Sequence, residues 1–366
     1  MKIDTSKVPT VEEQREQIAE ITKRMKGLTK PNTIAGLSIC MIVKDEEANI
    51  INVLGDISQY ADEIIVVDTG STDCTLQIIQ PLCGDKIKLF HFKWCDSFSE
   101  ARNFSLQQAT KDWILWLDAD DRVKPSIMQK IKDLAMQDKK RVCYFFNVQS
   151  YQGDSPALNF AQARMIPNFN ELKFKGIIHE NIDYVAYKDT YKARYDNSIT
   201  ITHTGYCTPE QIEKKLKRNM EYLIKDRNDL RNQYFLGLHS FTAKNYWASL
   251  GLFLTMLTRK DELENATIQR VIFLIGLQLE NLELYDVAME WYKKTDEQDA
   301  PFRLAKVCEL KEDFLNAKYW YEQYLKQEFK MAIYGEYKSV YVPHAIDRLQ
   351  QLTKAEYDYW QNYNHN

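Results

Sequence analysis

Three carboxylates in four residues end the segment "WILWLDADD": Asp118, Asp120 and Asp121 follow the unbroken apolar run Trp113 to Leu117. The run has the length of a buried strand, and acids crowded at its end repel one another unless something positive joins them. Carboxylates at 118 and 120 can share a hard divalent cation through oxygen. With few protein ligands such an ion keeps positions for phosphate oxygens, so the pattern predicts a cation carrying a diphosphate. Helix capping competes as an explanation, because Lys124-Pro125 opens a helix whose first turn favours acids; one Asp would suffice for that. Histidine is scarce, with six in the chain. His179 in "FKGIIHEN" and His203 in "ITITHTGY" each follow a β-like run and are the candidate further ligands, although a lone His is more often structural. Glu180 is the best-placed general base among the remaining carboxylates.

A second stretch, "VVDTGSTDCT", has the grammar of a strand running into a helix. Asp68 ends the strand, Gly70 permits a turn with positive φ, and Asp73 suits the N-cap of the next helix. The turn presents backbone N–H groups and small hydroxyls to whatever lies above the sheet, which suits a nucleotide; many strand-to-helix turns look the same. Asp68 and Asp118 both stand at strand carboxyl ends, where open α/β sheets bind ligands. They are expected to be neighbours although fifty residues apart.

The elements that must carry these groups alternate. "LSICMIVK", "DEIIVVD", "KIKLFHF" and "DWILWLD" read as strands, and "EEANIINVLGDISQYA", "CTLQIIQPLC" and "SEARNFSLQQA" as the helices between them. That order predicts a parallel sheet covered on both faces. After about Thr208 strand signals vanish and helical periodicity takes over. "LIGLQLENLELYDVAMEWYKK" and "RLAKVCELKEDFLNAKYWYEQYLK" resemble each other, with Ala288 matched to Ala317 at 29 residues, short of the roughly 34 of a tetratricopeptide repeat. The expected organisation is a leader over 1–35 with a charged helix across 10–27, an α/β domain over 36–207, and a helical-hairpin array of tetratricopeptide type over 208–366. An unrelated helical bundle is the alternative for the last.

Bulk properties narrow the partners. The net charge of −4 on 366 residues implies no wide basic field and argues against nucleic acid. The N-terminus lacks the apolar core of a secretion signal, and the longest apolar runs are far below the ~20 residues of a membrane span, so no transmembrane segment is expected. Seven cysteines without a CxxC pair fit reduced thiols in a cytoplasm.

Taken in order, "LSICMIVKDEEANI", "ADEIIVVDTGSTDCT", "FSEARNFSLQQATKDWILWLDADD", "FKGIIHE" and "HTGY" resemble family 2 glycosyltransferases with the GT-A fold, over roughly residues 37–206. The helical half resembles the subgroup that carries tetratricopeptide-like repeats, which includes the sublancin-type S-glycosyltransferases of bacteriocin precursor peptides. The resemblance implies that Val43, Asp45 and Glu47 line a nucleotide pocket, with Asp45 where the family often has Asn. It implies that Asp68 bonds the uracil ring, that Ser71 and Asp73 lie in the glycine-containing turn, and that Arg102 borders the pocket. Asp118 and Asp120 form the DxD motif, the first near ribose and metal, the second on the metal; His203 falls where a late metal ligand is supplied, and Glu180 where the catalytic carboxylate lies. The expected activity is inverting transfer of a hexose from a UDP-sugar, dependent on Mn²⁺ or Mg²⁺, to Cys or Ser of a peptide. A cell-envelope polysaccharide or lipid-linked glycan is the alternative acceptor, and a catalytically dead repeat scaffold the alternative outside enzymes. The aromatics Trp291, Tyr292, Tyr319, Trp320 and Tyr321 are candidates for peptide contact or for repeat core, and the helical half for a homodimer contact.

Overall fold

The computed structural model describes residues 34–137, 141–152, 155–184, 187–204, 209–327 and 341–364. The leader helix expected over 10–27, and Tyr206 with Cys207, lie outside them. The chain divides into two compact units, Met1–Lys217 and Arg218–Asn366.

The first unit is built on an eight-stranded sheet. Its strands are β1 (Ile34–Val43), β2 (Glu63–Asp68), β3 (Ile87–His91), β4 (Lys111–Trp116), β5 (Asp121–Arg122), β6 (Val142–Gln152), β7 (Ser155–Pro167) and β10 (Lys192–His203), in the order β3-β2-β1-β4-β7-β6-β10-β5. The half predicted from strand–helix alternation is parallel: β1 pairs with β2 and β4, and β2 with β3. The sheet then turns mixed, because β7 runs antiparallel to both β4 and β6, while β10 is parallel to β6. No helix separates β6 from β7, so a hairpin takes the place of a crossover.

Alternate residues of the parallel strands face opposite sides. Leu37, Ile39, Met41, Ile64, Val66, Trp113 and Leu115 pack one core with helices α1 (Ile50–Ser58) and, further on, α4 (Pro125–Met136). Cys40, Ile65, Val67, Ile114 and Trp116 pack the other, with α3 (Phe98–Gln108) and a ribbon of β8 (Phe174–Lys175) and β9 (Asn181–Ile182). Between these lies the short α2 (Thr75–Ile79). Its N-cap is Cys74, not Asp73, although Asp73 Oδ1 still accepts from Thr75 N at 2.9 Å. Two-sided burial explains why these strands read as unbroken apolar runs. None of the six described cysteines is in a disulfide, and no helix among the described residues is long and apolar enough to cross a membrane.

After α5 (Pro209–Ile224) the second unit is a series of hairpins: α6 (Leu230–Thr242) with α7 (Tyr246–Thr258), α8 (Asn265–Asn281) with α9 (Tyr285–Tyr292), and α10 (Ala300–Leu310) with α11 (Phe314–Lys326), followed by α12 (Tyr341–Asn364). Each hairpin repeats one local code. A small residue on the first helix (Gly237, Gly276, Ala305) is followed twelve residues later by another on the second (Ser249, Ala288, Ala317), and sixteen later by an aromatic (Phe253, Tyr292, Tyr321). The aromatic ring fills the space the first small residue leaves: a Cβ at Gly237 or Gly276 would lie 2.6 Å from the ring of Phe253 or Tyr292. Seven residues after that small residue the chain turns with positive φ, at Lys244, Glu283 and Glu312. The two tyrosines also donate to acids of the preceding helix, Tyr292 to Glu280 at 2.6 Å and Tyr321 to Glu309 at 3.0 Å.

Candidate active site

The acid triplet meets His203 through the sheet. β4 ends at Trp116, the chain turns, and the two-residue β5 pairs antiparallel with the end of β10 so that His203 lies opposite Asp121. The contact continues past the strand, where Thr204 donates from N and Oγ1 to the Asp120 carbonyl at 3.0 and 2.8 Å. The candidate ligand atoms of Asp118, Asp120, Asp121 and His203 all lie within 4.8 Å of one another. Asp118 and Asp120 keep 25% and 15% of their side chains exposed, whereas Asp121 has none. Two reachable carboxylates and an imidazole are a donor set suited to Mn²⁺ or Mg²⁺.

The charges are arranged unequally. Burial would raise the Asp118 carboxyl, but the guanidinium groups of Arg102 and Arg164 and the ring of His203 hold it well below the usual range. Asp120 is pushed up by burial and by Asp118 and Asp121, with His203 opposing. Burial acts to lower His203, and its hydrogen bond to Asp121 and the charges of Asp120, Asp121 and Asp118 outweigh that and raise it.

Arg102 joins this cluster to the candidate base. Its Nη2 donates to Asp118 Oδ1 and its Nε to Glu180 Oε1, both at 2.6 Å, and its guanidinium lies 4.5 Å from the Trp116 ring centroid. Burial works against the charge of Arg102, but the two carboxylates raise its pKa further above the ordinary value. The neighbouring Asn103 clamps the ribbon, exchanging bonds with Phe174 N and O at 2.8 and 3.0 Å. One turn of α3 thus holds both Glu180 and the β8 strand before it. His179 adopts positive φ there, an uncommon backbone for a residue with a side chain.

The residues expected around a nucleotide gather at the carboxyl ends of β1 and β2, and many of their polar atoms bond to one another. Asp68, 4% exposed, accepts from Gly70 N and Ser71 N, both at 3.0 Å; burial would raise it, but His91, Ser71 and Gly70 lower it. Asp45 N donates to Ser71 Oγ, and Asp45 Oδ1 accepts from Thr72 N. Glu47 N donates to Asp73 Oδ2, and Glu47 Oε2 accepts from Cys74 N. Asp45 has φ +55°, a conformation that Asn and Asp tolerate best after Gly. Val43 is buried at the strand end. Asp68 ends β2 and Asp118 follows the end of β4 by two residues, and these two strands flank β1 on either side.

Three further residues were not singled out in the sequence, although Glu46 lies between Asp45 and Glu47 in the first-strand motif. Arg164, on β7, reaches Asp121 Oδ2 at 2.7 Å and stacks 3.8 Å from the Trp116 centroid. Glu46 is half-buried and raised, by burial first and then by Asp120 and Asp118 against the Asn49 hydrogen bond. Lys215 on α5 acts electrostatically on both Asp120 and Glu46. Only the basic run "EKKLKR" could have pointed to the last.

Residues 38–193 match the model of the family described as Glycosyl transferase family 2. This segment is a family 2 glycosyltransferase domain. A TPR repeat-containing protein of Synechococcus elongatus is 34% identical over 151 residues, covering 41% of this chain and 36% of that protein. The SPbeta prophage-derived glycosyltransferase SunS of Bacillus subtilis is 29% identical over 209 residues, 56% of this chain and 47% of SunS. The chain thus spans less than half the length of either relative. The crystal structure of S. aureus TarS 1–349 in complex with UDP-GlcNAc is similar with a TM-score of 0.41 and 14% identity, over 81% of this chain and 94% of that one.

Proposed function

We propose that the chain is an inverting, metal-dependent glycosyltransferase that moves a hexose from a UDP-sugar to the cysteine or serine side chain of a peptide. The observation that carries this reading is the convergence of Asp118, Asp120 and His203 in a family 2 glycosyltransferase domain, with Arg102 linking Asp118 to Glu180. The peptide acceptor rests on the likeness to SunS and on the sublancin-type resemblance of the helical half.

Asp118, Asp120 and His203 would hold Mn²⁺ or Mg²⁺, which when bound screens the negative charge that develops on a departing diphosphate. Arg102 keeps Asp118 charged and fixed, and Lys215 adds positive charge on the same side. Val43, Asp45, Glu47, Asp68, Ser71 and Asp73 shape the loops that receive the nucleotide. Glu180 takes the proton of the acceptor S–H or O–H as that sulfur or oxygen bonds the anomeric carbon. The bond from that carbon to the β-phosphate oxygen breaks, and its electron pair leaves with UDP. Attack from the face opposite the leaving group inverts the anomeric centre in one displacement.

Asp120→Ala is expected to lower Mn²⁺-dependent UDP-sugar hydrolysis by about 100-fold or more, with thermal stability unchanged or slightly raised because mutual acid repulsion falls. Undiminished Mn²⁺-dependent turnover would remove the metal reading. Offering the wild type a set of Cys- and Ser-containing peptides beside a lipid-linked sugar tests the acceptor separately. Transfer to the lipid-linked sugar alone would overturn the peptide acceptor and leave the donor chemistry standing.

A further inference from the structure

Asp121 differs from the other two acids in what its oxygens do. Its Oδ2 accepts from Asp118 N at 2.8 Å and from Arg164 Nη1 at 2.7 Å, and its Oδ1 faces His203 Nδ1 at 3.0 Å. The side chain is fully buried, and its partner Arg164 is 3% exposed. Arg164 is itself fixed from three sides: its Nε donates to Gln162 Oε1 at 2.9 Å, its Nη1 also reaches the Trp116 carbonyl at 3.4 Å, and its guanidinium covers the Trp116 ring. Both carboxylate oxygens are thus committed within the protein.

We propose that Asp121 is a positioning residue and not a ligand: it sets the tautomer and orientation of His203 and the backbone turn of Asp118 for a cation held by Asp118, Asp120 and His203. The proposal rests on the metal-dependent reading above. A carboxylate only accepts hydrogen bonds, so Nδ1, 3.0 Å from Asp121 Oδ1 and 3.3 Å from Asp120 Oδ1, carries hydrogen, and in the neutral ring the lone pair is on Nε2. Arg164 neutralises Asp121 and keeps it from competing for the ion. Outer partners of this kind fix ligand geometry, and their loss weakens metal binding by about 10–100-fold.

The test uses the full chain without sugar nucleotide. Titration calorimetry measures Mn²⁺ and Mg²⁺ binding to wild type and Asp121→Asn. The expected result is about 10–100-fold weaker Mn²⁺ binding in the variant, with a smaller loss for Mg²⁺, because the imidazole is the nitrogen donor that favours Mn²⁺. Unchanged Mn²⁺ affinity overturns the proposal, and so does an equal loss of both ions, the mark of a generally damaged turn. A wild type that binds neither ion removes the metal reading and the proposal together. Should the variant fail to fold, long-range ¹H–¹⁵N spectra of the Mg²⁺-loaded wild type decide, with His203→Gln assigning the ring. Hydrogen on Nδ1 supports the proposal, and a metal-bound Nδ1 overturns it.

Discussion

Glu180 and Asp118 share one guanidinium, so the candidate base and the first acid of the DxD motif are held at a fixed separation before any substrate arrives. Such pre-set geometry matters because a base must sit within hydrogen-bond reach of the proton it removes. Glu180→Gln keeps the shape and the contact to Arg102 while removing the proton acceptor. Transfer to serine is expected to slow by about 10²–10⁴-fold. Transfer to cysteine should lose far less, because a thiol with a pKa of roughly 8.5 ionises partly by itself near neutrality. UDP-sugar affinity should hardly change. Single-turnover rates on paired Ser and Cys peptides check this, and equal losses on both would place the base elsewhere. The residues of this site were legible to different depths. The triplet announced itself by charge alone, yet burial and hydrogen bonding separate Asp121 from Asp118 and Asp120, and three aspartates look alike in a sequence. Arg164 stands in a strand without any motif, and its role exists only because β7 pairs beside β4.

At the scale of elements, the start of α10 carries an acid where the interior resists charge. Asp299, 4% exposed, takes the N-cap position without a side-chain capping bond, and Tyr324 on α11 donates to its Oδ1 at 3.3 Å. Burial pushes its carboxyl from the ordinary 3.8 up to about 6, against the lowering effects of Tyr324 and Arg270. Because the folded pKa lies above the unfolded one, the stability carried by the protonated form is complete below pH 3.8 and is lost as pH rises through 6. Asp299→Asn should therefore stabilise the protein at pH 8 by on the order of 1–3 kcal/mol and give little gain at pH 3.5. Denaturant melts of both proteins at the two pH values measure it; a gain independent of pH would show that ionisation is not the cause. The hairpin that holds Asp299 was readable from Ala288 and Ala317, but its counterpart over α6 and α7 was not. There Gly237 and Ser249 replace the alanine signal, Phe253 replaces the tyrosine, and the spacing to the next unit is 39 residues instead of 29. The parallel half of the sheet was likewise legible from alternation. The pairing of β5 with β10 was not, since it joins residues some eighty positions apart and β5 has only two residues.

For the molecule as a whole, acceptor recognition is the property that the catalytic domain leaves open, and the exposed aromatics of the helical unit bear on it. Tyr292 and Tyr321 are core residues, 1% and 0% exposed, while Trp291 and Trp320 are half-buried against the hairpin cores. Tyr319 is 50% exposed, Trp247 65% and Leu315 75%. Trp247 and Leu315 hold the same place in the first and third hairpins, ten residues after Gly237 and Ala305, where the second hairpin has Asp286, so an apolar side chain in water occurs at that position in two of the three. Buried aromatics would lower stability when cut back and say nothing about partners, which makes the exposed ones the useful set. Under the peptide-acceptor reading, at least one of Trp247→Ala, Leu315→Ala and Tyr319→Ala in the full chain should raise acceptor KM by about 5–50-fold, the range of an interface residue worth ~1–2 kcal/mol. Metal-dependent UDP-sugar hydrolysis and thermal stability should stay at wild-type values, because the three are exposed and belong to the second unit, whereas Asp118, Asp120 and His203 belong to the first. Sedimentation of the same variants separates the other role of such a surface. If acceptor kinetics are unmoved and a dimer splits, these positions serve assembly, and the peptide acceptor loses the support of the helical unit.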